Sequence, residues 1–293
     1  MTGQNTQRAN VADLFFRSAK LFPDKHCIIG KAGEVITFGE LAAAVHETAG
    51  YYRSKGIGPG DRVLIFIPMG IPLYRCILAL FHIGAVAVFT DGWVNKKRLE
   101  ASCHLVGCKA FIAPRKIRML ALLSQELRKI PIWLSENYIV PSKKAEGHFT
   151  KPGDSALITF TTGSTGVPKA ANRTHGGLEA QFSALVDKIR QDETDIDMPL
   201  LPIVLLLNLG TGVTSVIADF NSRRPADIQP EIIWNQIKQY RVNRLTASPF
   251  VVEQLAEANI AGKTSLRIFT GGAPVFPAQA KKMLKGLPGS SID

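Results

Sequence analysis

Short apolar runs alternate along this chain with longer stretches in which apolar positions recur three and four residues apart, the periodicities of buried strands and amphipathic helices. Asn10 can cap a helix whose apolar face is Val11, Leu14, Phe15 and Phe22 and which Pro23 stops. Cys27-Ile28-Ile29 and Val35-Ile36 read as a strand pair, and Thr37-Phe38-Gly39-Glu40 as a capping box opening a helix that ends at Gly56. After the Gly58-Pro59-Gly60-Asp61 turn, the pattern predicts strands over 62–67, 85–89, 109–113 and 130–134, separated by helices over 71–83, 96–106 and 116–128. Alternation of this kind specifies an α/β fold with a parallel sheet flanked by helices.

Residues 135–153 interrupt the rhythm with polar residues, prolines and a glycine, and read as a surface connection. The expected organisation is a first α/β subdomain over 1–140, a linker over 141–153 and a second α/β subdomain over 154–293. The second half predicts a strand at 157–160, another at Ala170-Ala171, helices over 177–189 and 231–240, a strand over 244–247, a helix from Pro249, a strand over 266–269 and a helix over 277–284. Met198 to Ala218 carries no charge and is long enough to span a bilayer, yet prolines, glycines and Asn208 break it up. It reads as a buried helix followed by a strand over 213–217.

Composition changes this picture little: 46% hydrophobic and 20% charged residues over 293 positions describe a globular chain and exclude wholesale disorder. The first ten residues are polar, with no basic leader and apolar core, and Cys27, Cys76, Cys103 and Cys108 form no CxxC pair. Reduced thiols and a cytoplasmic location are expected. Cys103-His104 with Cys108 lacks the ligand number and spacing of a zinc site, so no metal site is predicted.

Charge adds one feature. The net charge is +11, and between Lys96 and Lys129 nine basic residues face only Glu100 and Glu126. Such a patch would attract a polyanion: an anionic membrane surface, or a nucleotide-bearing thiol such as coenzyme A. Nucleic acid is not expected, because interleaved exposed aromatics and a binding motif are both missing; a solvated helix face is the plainer alternative.

The candidate chemistry lies where the apolar run Leu157-Ile158-Phe160 empties into Thr161-Thr162-Gly163-Ser164-Thr165-Gly166-Val167-Pro168-Lys169. Glycines let backbone N–H groups converge on an anion, the hydroxyls of Thr161, Thr162, Ser164 and Thr165 add donors, and Lys169 brings a mobile positive charge. This is a polyphosphate cradle, although not the Walker pattern, since Gly163 and Gly166 are three apart and Pro168 precedes the lysine. A bare Gly-Ser-Thr-Gly could equally be a flexible turn; the whole nine-residue run argues against that. Gly271-Gly272-Ala273-Pro274 follows another strand-like run, and its small residues would let a flat base approach the backbone; alone it could be a tight strand-to-helix turn. His175 has no orienting carboxylate nearby in sequence and reads as structural.

Thr161 to Lys169 resembles, without a gap, the phosphate-loop signature of the adenylate-forming (AMP-binding) superfamily of acyl-CoA synthetases, luciferases and peptide-synthetase adenylation domains. Gly60-Asp61-Arg62-Val63 with Pro68, Ala247-Ser248-Pro249 and Thr270-Gly271-Gly272-Ala273-Pro274 carry the resemblance nearly end to end, the last as the loop against adenine. Arg173-Thr174-His175-Gly176 and Arg223-Arg224-Pro225-Ala226 resemble fatty acyl ligases and the olefin-pathway β-lactone synthetases most. The resemblance implies the large N-terminal domain of such an enzyme, ATP as cofactor, and activation of a carboxylic acid, of the fatty class, as acyl-adenylate for transfer to CoA or another acceptor.

The departures bear on competence. The family's aromatic-Gly-x-Thr-Glu motif for nucleotide and magnesium, its ribose-binding aspartate, its hinge and the small C-terminal domain with a catalytic lysine have no counterpart up to Asp293. Leu200 to Leu207 also offers no clear match to the aromatic of the acid-substrate wall. The expectation is therefore a truncated, N-terminal portion, inactive by itself, in which magnesium binds only with the missing motifs or a complementing subunit supplies them. The second reading is a non-catalytic fragment or pseudoenzyme that binds nucleotide weakly or packs against a partner.

Overall fold

The computed structural model describes residues 9–90, 96–137, 144–162, 168–190, 192–221, 224–260 and 262–293. In chain order the elements are α1 (Ala12–Leu21), β1 (His26–Ile29), β2 (Val35–Thr37), α2 (Phe38–Ser54), β3 (Arg62–Ile65), α3 (Ile71–His82), β4 (Val86–Phe89), α4 (Lys96–Val106), β5 (Ala110–Ile112), α5 (Arg115–Ala121), α6 (Gln125–Arg128) and β6 (Ile132–Leu134). There follow β7 (Ser155–Thr162), β8 (Pro168–Thr174), α7 (His175–Ile189), β9 (Ile196–Pro199), α8 (Pro202–Thr211), β10 (Thr214–Val216), α9 (Pro230–Gln239), β11 (Arg244–Ala247), α10 (Pro249–Glu257), β12 (Arg267–Thr270), α11 (Pro277–Gly286) and β13 (Ser291–Ile292). The expected α/β class and parallel pairing are both present. No helix among the described residues is long and apolar enough to cross a membrane, and the uncharged 198–218 stretch contains α8 and β10.

Two compact units are formed, one by residues 1–16 and 40–184, the other by 17–39 and 185–293. This division differs from a cut at 141–153. Ala87, Val88 and Phe89 of β4 pair in parallel with Leu157, Ile158 and Thr159 of β7, so the strand after the polar stretch joins the sheet built before it. Composition marks 141–153 as a loop, but only hydrogen-bond pairing decides which sheet the next strand enters.

In the first unit the strand order is β6-β5-β3-β4-β7-β8, parallel throughout except for the antiparallel β7–β8 pair. Leu64, Val88, Phe111, Ile158 and Phe160 from its strands pack with Cys103, Val106, Ala121 and Leu127 from its helices. The helix expected over 116–128 is two: the chain turns after α5, and Ser124 Oγ accepts from the Leu127 N–H (3.3 Å) to start α6.

The second unit has the order β13-β12-β11-β9-β10-β1-β2, again parallel apart from the hairpin β1–β2. Its core gathers Met198, Val216, Leu245 and Ile268 with Ile233, Trp234, Val252, Leu255 and Met283. Gly212 closes α8 at φ 78°, a left-handed cap, and a Cβ there would stand 2.6 Å from the Phe22 ring.

β9 was not foreseen, because Asp197 and Pro199 in four residues look like a loop. Its central place depends on compensation. Asp197 and Arg244 are both wholly buried and meet at 3.0 Å; Asn208 donates to Asp197 (2.7 Å) and accepts from Arg244 (2.8 Å); Asp195 takes Arg244 at 3.4 Å and also pairs with Arg267. Two carboxylates face two guanidiniums, so burial leaves no net charge. Asp197→Ala would leave Asp195 alone to balance Arg244 and Arg267, and chemical denaturation is expected to show a loss of about 3–5 kcal/mol, with Asp197→Asn, which keeps an acceptor, costing less.

Candidate functional site

Sheet geometry positions the strands that flank the hydroxyl-rich segment. β4 and β7 run in parallel, with Phe89 opposite Thr159, so β7 continues past the end of β4 at the carboxyl side of the sheet. There it folds back into β8, with Thr161 opposite Lys169 and Thr162 opposite Pro168. The hairpin thus sets the backbones of Thr161 and Thr162 beside that of Lys169; Gly163, Ser164, Thr165 and Gly166 lie outside the described residues. Parallel α/β sheets commonly place their ligands at this carboxyl side.

Lys169 is exposed. Four residues on, and so on the same side of β8, Arg173 donates through Nη1 to Thr159 Oγ1 at 2.6 Å. The sequence marks Arg173 only for its resemblance to fatty acyl ligases; the extent of β8 shows that it shares a side with Lys169.

In the second unit, β12 ends at Thr270, paired in parallel with Ala247 of β11, and the chain then enters Gly271-Gly272-Ala273-Pro274. A Cβ built on Gly271 or Gly272 meets no heavy atom within 4 Å, and Gly272 holds φ at +91°. Thr270 donates its N–H to the Asp293 carbonyl (2.9 Å), while its hydroxyl is buried without a hydrogen-bond partner among the described residues. Open space beside a bare backbone, next to an unanswered polar atom, fits a flat heteroaromatic ring.

The model of the family described as AMP-binding enzyme matches residues 15–292. The chain belongs to that family. Among the relatives of this AMP-binding family member, an olefin beta-lactone synthetase of Xanthomonas campestris pv. campestris is 26% identical over 98% of this chain and 56% of its own length. A medium-chain fatty-acid–CoA ligase of Escherichia coli is 25% identical over 94% of this chain and 53% of its own. The chain therefore spans about half the length of the curated relatives it matches. Among solved structures, the inhibitor-bound N-terminal domain of FACL13 from Mycobacterium tuberculosis superposes with a TM-score of 0.83 at 19% identity, covering 97% of this chain and 74% of that one, which shows the shared fold.

Other candidate groups of this family member are occupied in packing. His175 is wholly buried; its Nδ1 accepts from the Val11 N–H at 3.2 Å and its ring meets Phe81 edge-on. Burial pushes its pKa down to about 4, against a smaller upward pull from Asp154. Burial likewise pushes the Cys103 thiol up to about 12 and the Cys108 thiol up to about 11, which keeps both protonated and poor as metal ligands.

Two measurements check these assignments. Because His175 is lowered from an ordinary 6.5, its contribution to stability is complete above pH 6.5 and is lost as pH falls towards 4, amounting to about 3 kcal/mol. Its ring proton resonance should accordingly stay fixed down to about pH 5, whereas a midpoint near 6.5 would refute the burial argument. Gly271→Val, placed in open space with no positive φ, should leave the thermal midpoint unchanged and weaken adenosine binding at least ~10-fold, about 1.4 kcal/mol.

Proposed function

We propose that this chain supplies the nucleotide-cradling part of an enzyme that activates a carboxylic acid, of the fatty class, with ATP. The observation that carries the reading is the β7–β8 hairpin, which sets Thr161 across from Lys169 and Thr162 across from Pro168 at the carboxyl side of a parallel sheet. The names of the relatives support the acid class, since one is a medium-chain fatty-acid–CoA ligase and another an olefin beta-lactone synthetase.

In this reading a carboxylate oxygen attacks the α-phosphorus of ATP, pyrophosphate leaves with the bridging electron pair, and an acceptor such as the CoA thiol then takes the acyl group. The Lys169 ammonium and the loop donors meet the negative charge that gathers on the departing pyrophosphate. Their work is electrostatic and positional. Holding the reactants in register can contribute about 7–11 kcal/mol of barrier lowering, so the fixed pairing of β7 with β8 matters as much as the charge of Lys169. Arg173, tied to Thr159, stiffens the same side of β8. Magnesium on the nucleotide would neutralise part of the polyphosphate charge.

The test separates phosphate from base. Lys169→Ala combined with Thr165→Ala should weaken ATP by ~1.5–3 kcal/mol in calorimetric titration and leave adenosine within about twofold, because only ATP presents the groups those side chains address. Equal loss for both ligands would remove the cradle assignment. For the reaction itself, the protein at the length its gene encodes should exchange labelled pyrophosphate into ATP only when a fatty acid is present, and Lys169→Ala should abolish it. Exchange with none of a panel of short to long acids would overturn the fatty-acid assignment.

A further inference from the structure

The α5–α6 corner of the first unit breaks the usual rule for surface helices. Ile117 and Ala121 of α5 and Leu127 of α6 pack on the core, as an amphipathic segment requires. Yet Met119, Leu120, Leu122 and Leu123 are 62%, 63%, 56% and 72% exposed. On α5, Arg115 and Met119 succeed one another at four-residue spacing, as do Lys116 and Leu120, and Leu122 and Leu123 follow in the turn after the helix, so cations at one end grade into an apolar tip at the other. The tip is held in shape by the Leu122 N–H on the Met119 carbonyl (3.3 Å), the Leu123 N–H on Leu120 (3.1 Å) and the Ser124 N–H on Ala121 (3.0 Å).

The acids of this region are already engaged. Glu126 holds Lys129 and His104, and Glu100 accepts from Ser124 Oγ at 2.7 Å. Arg115, Lys116 and Arg128 are exposed and form no ion pair among the described residues. We propose that this corner docks on a bilayer carrying anionic lipids: Met119, Leu120, Leu122 and Leu123 enter the acyl boundary while Arg115, Lys116 and Arg128 lie among the phosphates.

Charge decides the occupant. A second copy would cover the apolar tip but would bring no free anion to Arg115, Lys116 and Arg128, since Glu100 and Glu126 of its own corner are engaged. An anionic membrane complements both parts of the surface at once, the cations through its surface potential and the tip through its hydrocarbon. The inference goes beyond acid activation and does not depend on it.

The experiment is co-sedimentation with phosphatidylcholine vesicles, with and without phosphatidylglycerol, at low and high salt. Anionic vesicles should bind about tenfold or more tightly, and the advantage should shrink with salt. Leu120→Ser with Leu123→Ser, and separately Arg115→Glu with Lys116→Glu, should each lower binding about tenfold without moving the thermal midpoint, since all four side chains are on the surface. Leu123→Trp should add a blue-shifted emission component over the native protein, quenched by brominated acyl chains. Absent binding to anionic vesicles overturns the proposal. Binding that responds to the charge pair alone, with no brominated-lipid quenching, overturns insertion and leaves an electrostatic contact. Concentration-dependent dimerisation abolished by the serine pair assigns the corner to a second copy and overturns it as well.

Discussion

The parallel pairing of β7 with β4 is the constraint from which the first unit's site follows. It fixes where β7 ends, and hence where the hairpin to β8 emerges, because a strand added in parallel register carries its terminus to the carboxyl side that its neighbours share. Ile158 and Phe160 are buried and tie the strand to the core from within. The hydroxyl-rich end is thus anchored by apolar side chains a few residues upstream. The hydroxyls and the core residues belong to one strand.

The second unit solves a different problem with different chemistry. At its centre β9 and β11 face each other with Asp197 and Arg244, where aliphatic residues would ordinarily sit. Arg244 also lies 5.9 Å from the centroid of the Phe269 ring, so the cation is shared between carboxylates, an amide and an aromatic face. Buried charge of this kind specifies one strand order, since a slipped register would leave two carboxylates unpaired.

Most helices and the apolar strands were legible in the sequence, because their periodicity states which side is buried: α4 and β11 fall on the residues expected. The features that escaped are those whose meaning lies in a partner. β9 carries an aspartate and a proline and becomes a strand only through Arg244. The two-residue β13 is too short for any pattern. The compact units could not be read from the polar stretch at 141–153, because the pairing of Leu157 with Ala87 crosses it. At the candidate site, the hydroxyl-rich run and the glycine pair stand out in the sequence because their residue types are local. Arg173 does not, since its relation to Lys169 rests on β8 extending to Thr174.

The parallel pairing of β1 with β10 has a consequence in time. Ile28 lies beside Ser215, and Ile29 beside Val216, so β1 finds its parallel neighbour only after a further stretch of about two-thirds of the chain has been made. At ~5–20 residues per second, that interval is about 10 to 40 s. Throughout it, Cys27, Ile28 and Ile29 have only the hairpin with β2 to shelter them, and an isolated two-stranded hairpin is marginal in water. The second unit's sheet is therefore a late assembly, and during synthesis β1 is a segment that a chaperone's cover would protect.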